Sequence, residues 1–128
     1  MAEVVERSLE LGPEAPAAAR RLVGDIALDE AARGRLELIL SELVTNSVVH
    51  ADRAGDGELS VKLRRESELV RGKVCAAGPR FEWTPEDPDL DEPGGLGLMI
   101  VDSLTERWGI CHNSEVCVWF ECEDCGSD

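Results

Sequence analysis

Apolar residues alternate with polar ones near both ends of the chain and recur at helical spacing between them, and this change of period lays out the elements. Val5, Leu9 and Leu11 alternate with polar neighbours and stop at Gly12-Pro13, which predicts a first strand. Pro16 opens a helix to about residue 24, with Leu22 and Ile26 turned inward near its end. Asp29 reads as the N-cap of a long second helix reaching about Ala51, in which Leu36, Ile39, Leu40, Leu43, Ser47 and Val48 share the inner side. Residues 51–57 are turn chemistry. Leu59, Val61 and Leu63 then alternate with Ser60, Lys62 and Arg64, a half-buried strand. A hairpin over 65–68 leads into another strand in which Val70, Gly72, Val74 and Ala76 share the inner parity.

Residues 82–93 hold three prolines and six acidic side chains and predict a solvated loop. Met99 to Leu104 read as a third helix, with Leu98, Val101 and Leu104 inward. Trp108 to Cys111 and Val116 to Phe120 form a closing hairpin, and the acidic stretch 121–128 reads as a frayed tail. The order strand, two helices, hairpin, loop, helix, hairpin predicts a two-layer α/β sandwich with a mostly antiparallel, mixed sheet covered by three helices.

The 128 residues make one domain with one core, spanning 1–128. A formal charge of −14 is the reverse of a nucleic-acid-binding footprint and points to basic partner surfaces instead. No run of 18 apolar residues exists, and the N-terminus lacks a signal-peptide pattern, so the expectation is a cytoplasmic protein without membrane contact. An odd five cysteines in such a chain favours reduced thiols over a disulfide framework. Cys122 and Cys125 have the spacing of half a zinc site with no second half, and Cys75, Cys111 and Cys117 read as small core or sheet residues.

The candidate chemistry lies on the second helix, where Glu42, Asn46 and His50 stand four residues apart and climb one stripe at the border of its buried side. A carboxylate, an amide and an imidazole there would line the edge of a pocket. A solvated helix edge, with Glu42 and Asn46 hydrogen-bonded one turn apart, is the plainer alternative. Further on, Gly94-Gly95-Leu96-Gly97-Leu98 precedes the third helix. Glycines ahead of a helix start let backbone N–H groups approach an anion where the helix dipole favours negative charge.

With these two stretches together, the chain resembles the histidine-kinase/Hsp90-like (GHKL) ATPase domains over nearly its whole length, and most of all the stand-alone bacterial anti-sigma factor serine/threonine kinases. The resemblance implies ATP or ADP with Mg²⁺ as cofactors. Glu42 and Asn46 match the family's N box, so Glu42 is the implied general base and Asn46 the implied holder of the phosphate-bound magnesium. Gly94, Gly95, Leu96, Gly97 and Leu98 match the second glycine box, which wraps the phosphates, and 82–93 matches the lid over the nucleotide. Ala76-Ala77-Gly78-Pro79-Arg80-Phe81 sits where the family has Asp-x-Gly-x-Gly-Phe. Gly78 and Phe81 match; Ala76 replaces the adenine-binding Asp and Arg80 replaces a glycine.

Two readings follow. In one, the chain phosphorylates an anti-sigma factor antagonist of the STAS-domain type and sequesters a sigma factor, with homodimerisation implied by the resemblance. In the other, the fold serves as a protein-interaction module that binds nucleotide weakly or not at all, because Ala76 offers adenine no hydrogen-bond acceptor.

Overall fold

The structure, a computed structural model, describes residues 3–50, 57–77, 95–112 and 115–123, with His50 and Gly95 described in their backbone alone. Strand β1 (Glu3–Glu10) leads into helix α1 (Ala15–Leu22), which tightens into a single 3-10 turn over Val23–Asp25. Pro16 stands in the first turn of α1, where a missing N–H breaks no helical bond. Helix α2 runs over Glu30–His50. Its start is fixed as the sequence predicts: Asp29 Oδ1 accepts the Ala32 N–H at 2.7 Å, satisfying one of the free amides of the first turn. Strands β2 (Glu58–Glu66) and β3 (Leu69–Ala76) flank a two-residue turn, in which Ser67 takes the left-handed conformation at φ 55°. Helix α3 (Gly95–Leu104) and the hairpin β4 (Arg107–His112) and β5 (Val116–Cys122) complete the described chain.

The strands form one sheet in the order β1-β2-β3-β5-β4, and every adjacent pair is antiparallel. The expected sandwich is therefore present, with a sheet that is antiparallel throughout its described length rather than mixed. Inward residues follow the pleat. Leu59, Val61 and Leu63 on β2, Val70, Val74 and Ala76 on β3, and Val118 and Phe120 on β5 are all buried against the helices. Helix α2 lies between α1 and α3 and rests on β3. It contributes Leu36, Ile39, Leu40, Leu43 and Val44 to a core that α3 joins through Leu98 and Val101. Arg20 Nη1 of α1 donates to Ser41 Oγ of α2, and Trp108 Nε1 of β4 donates to Asp102 Oδ1 of α3, so each outer helix has a polar tie as well as apolar packing.

Gly72 belongs to the inner face for a steric reason. A Cβ there would meet the Phe120 ring at 2.2 Å, so the glycine leaves room for the largest fully buried side chain among the described residues.

Three sequence expectations change. Helix α3 begins at Gly95, not at Met99, so the glycine-rich segment itself forms the first turn; the burial of Leu98 and Val101, three residues apart, favours the helix despite the poor propensity of glycine. Strand β5 extends through Glu121 and Cys122, so the stretch read as a frayed tail starts inside the sheet. Glu121 accepts from Arg71 Nε at 2.7 Å and also pairs with Arg107 on its other side. The cysteines are not all reduced thiols: Cys75 and Cys117 form a disulfide between β3 and β5. The sheet places them directly opposite each other, a proximity that composition and compartment arguments do not see. Residues 82–93, with the expected lid, and Cys125 lie outside the described residues. Among the described residues, no group of three or more ligating side chains could hold a metal ion, and no helix is long and apolar enough to cross a membrane.

Candidate functional site

Glu42 and Asn46 occupy successive turns of α2, and their depths differ. Glu42 is half-buried, whereas Asn46 is 1% exposed, deeper than the border position its spacing suggested. Both polar atoms of the Asn46 amide, Oδ1 and Nδ2, are buried without a hydrogen-bond partner. The expected one-turn hydrogen bond from Asn46 to Glu42 is thus not made, and the plainer reading of the polar stripe loses its stabilising contact. Leaving such an amide unsatisfied costs about 1–3 kcal/mol. A fold carries that cost at a place where a ligand, ion or water completes the amide's bonding.

Helix α3 delivers the other half of the site. A Cβ built on Gly97 would stand 2.6 Å from Glu42 Oε2 and 3.6 Å from Glu42 Cβ, so the first turn of α3 lies directly against the Glu42 side chain. The amides of a first helical turn have no intrahelical partners, and the positive end of the helix dipole lies there. Gly95, Leu96, Gly97 and Leu98 supply that turn. The Leu96 side chain is 64% exposed and that of Leu98 is buried in the core, so Leu98 could meet a ligand only through its backbone. The arrangement joins an anionic carboxylate, an unsatisfied amide and a helix N-terminus open to close approach. That is a donor set suited to a cation bridging toward phosphate oxygens.

Ala76 ends β3 and is buried on the inner side, below α2, as its parity requires. Gly78, Arg80, Phe81, Trp83 and Gly94, together with the His50 side chain, lie outside the described residues. The structure therefore brings together Glu42, Asn46 and the Gly95 to Leu98 turn. It sets Ala76 on the same inner side of the sheet.

The chain belongs to the histidine kinase-like ATPase domain family, whose model matches residues 6–121. No curated protein matches it. The matched span runs from within β1 to within β5 and includes all the residues of the site.

What sequence reasoning missed is the relation between residues rather than their identity. The contact of Gly97 with Glu42 had a signal in the glycine itself, placed inside a helical apolar pattern where only close approach favours it. The pairing of Cys75 with Cys117 had one in parity, since each stands on the outward side of its strand.

Proposed function

We propose that the protein is an anti-sigma regulatory factor: a serine/threonine kinase, dependent on ATP and Mg²⁺, that phosphorylates an anti-sigma factor antagonist and holds a sigma factor inactive. The observation that carries this reading is the unsatisfied, fully buried amide of Asn46 one turn above Glu42, where Gly97 brings in the start of α3. Asn46 and the α3 start fit the magnesium and phosphate end of a nucleotide. Asn46 Oδ1 would hold the magnesium, and the backbone N–H groups of Gly95 to Leu98 would meet the phosphates. When bound, MgATP supplies the phosphoryl group, and its cation offsets the charge that develops on transfer.

Glu42 has the matching role on the protein side. Half-buried at the α3 N-terminus, it would accept the proton of an incoming serine or threonine hydroxyl. The −14 charge suits an antagonist or sigma-factor surface that is basic, and the association should weaken as salt rises. A homodimer in the cytoplasm is the setting that the resemblance implies.

A second reading has its own observation. Ala76, 4% exposed, puts a methyl group where the family has its adenine-binding carboxylate, which favours a regulator that binds nucleotide weakly or not at all. One experiment addresses both. Melting temperature is followed against Mg-ATP and Mg-ADP, and phosphate transfer to STAS-type antagonists is then assayed in wild type and Glu42→Ala. The kinase reading expects a nucleotide-dependent rise, and transfer that Glu42→Ala abolishes without loss of fold. A flat titration at millimolar nucleotide sinks it and leaves the nucleotide-independent regulator.

A further inference from the structure

Three cysteines stand in one lateral row across the outer face of the sheet. Cys75 on β3 is in register with Cys117 on β5, and Cys117 is in register on its other side with Cys111 on β4. Residues directly opposite each other in a sheet project to the same face, so all three sulfurs lie on the side away from the helices. Two of them are joined as the Cys75–Cys117 disulfide, and Cys111 is an exposed free thiol.

The register gives Cys117 a second possible partner. Its Cα lies 4.1 Å from that of Cys75, which marks a close pair without mutual backbone hydrogen bonds. The N–H and C=O of a strand residue point to the same neighbour, so those of Cys117 turn toward β4. Cys111 and Cys117 are then the hydrogen-bonded pair, with Cα atoms about 5.5 Å apart. That separation lies at the common value for disulfides, so Cys117 can be bridged on either side while the strands stay in place.

We propose that this row is a thiol–disulfide exchange site in which Cys117 is shared by two alternative disulfides. The Cys111 thiolate, its proton given to solvent, attacks Cys117 Sγ. The Cys111–Cys117 bond forms as the Cys75–Cys117 bond breaks, and the electron pair leaves on Cys75, which takes a proton from solvent. One disulfide and one thiol are present before and after, so no oxidant or reductant is consumed. The order of strands β4, β5, β3 sets Cys111 and Cys75 on opposite sides of Cys117, the arrangement from which an in-line displacement starts.

The leaving group opens onto charged side chains of both signs. Cys75 and Cys117 open into a cavity of about 280 Å³ lined also by Glu6, Ser60, Lys62, Lys73 and Glu115. Lys73 is two residues from Cys75 on the same face, and Lys62 stands opposite Lys73 on β2. The two ammonium groups favour a thiolate on Cys75, and the carboxylates of Glu6, opposite Lys62 on β1, and Glu115 offset part of that effect. The exchange moves the covalent tie from the end of β3, next to Ala76, to the β4–β5 hairpin.

The test needs no unfolding. Freshly oxidised protein is held at about pH 8, near the ordinary thiol pKa, without added redox reagent, then quenched in acid, alkylated and mapped without reduction. Cleavage at acid pH after Glu115 and Glu121 separates the peptides carrying Cys111, Cys117 and Cys122. The expected result is a Cys75–Cys117 peptide in fresh protein, followed on incubation by a Cys111–Cys117 peptide and a gain of alkylation at Cys75. Cys111→Ser should lose that gain entirely. Cys75 unlabelled after incubation of the wild type, equal labelling in Cys111→Ser, or no Cys75–Cys117 peptide in fresh protein each overturns the proposal.

Discussion

Gly97 of α3 and Glu42 of α2 are in such close contact that a methyl group on residue 97 would stand 2.6 Å from Glu42 Oε2. The atom it meets is the end of a flexible side chain, so Gly97→Ala can be relieved by a turn of Glu42 at about 0.5–1.5 kcal/mol. The fold should survive with a melting temperature close to wild type, while the carboxylate leaves the position that faces the α3 amides. The expected outcome is loss of any Mg-ATP-dependent rise in melting temperature. An unchanged rise would mean that the glycine serves helix packing alone.

Asn46 allows a prediction of opposite sign for fold and ligand. Its amide is buried with neither polar atom bonded, so Asn46→Leu, close in volume, removes an unsatisfied group worth about 1–3 kcal/mol. The ligand-free protein should melt several degrees higher, and its response to Mg-nucleotide should vanish. A less stable Asn46→Leu variant would show that the amide has a bonding partner in solution and that its burial is structural.

Gly72→Ala should be plainly destabilising, because Phe120 lies 2.2 Å from the added methyl and is itself held in the core. Overpacking of this kind costs about 1–3 kcal/mol. Chemical denaturation should show a lower midpoint at unchanged slope. Combining Gly72→Ala with Phe120→Leu should recover part of the loss, since two residues in contact are not additive.

These three sites show what the sequence reveals and where it stops. Alternation along β2 and β3 and the Asp29 cap were legible because both are local: each depends on residues within a few positions. Parity alone also sets Ala76 on the inner side. The depth of Asn46 was not legible, because the period of α2 says which way a side chain points and not how α3 closes over it. The sequence places the start of α3 four residues late, since glycines are poor helix formers and only the packing of Leu98 and of Gly97 against α2 overrides that preference. The strand order β1-β2-β3-β5-β4 joins segments far apart in the chain. Without that order, the lateral meeting of Cys75, Cys117 and Cys111 has no trace in spacing.

Ala76 separates the kinase from the binding module. It is 4% exposed at the end of β3, among core residues, so Ala76→Asp places a carboxyl group in an apolar setting. Without ligand that should lower stability by about 1–3 kcal/mol, the cost of a buried polar group left unbonded. If the pocket is otherwise competent, the new carboxylate gains a hydrogen bond to the adenine amino group, worth about 1.5–3 kcal/mol. Affinity for Mg-ATP should then rise roughly tenfold to two-hundredfold. The two effects separate in one measurement: the Ala76→Asp melting temperature starts lower and climbs more steeply with nucleotide than that of the wild type. GTP, which presents a carbonyl in place of the adenine amino group, should gain nothing from the substitution. A variant that starts lower and stays flat with both nucleotides would show that restoring the carboxylate does not restore the site, and the protein would then act without nucleotide.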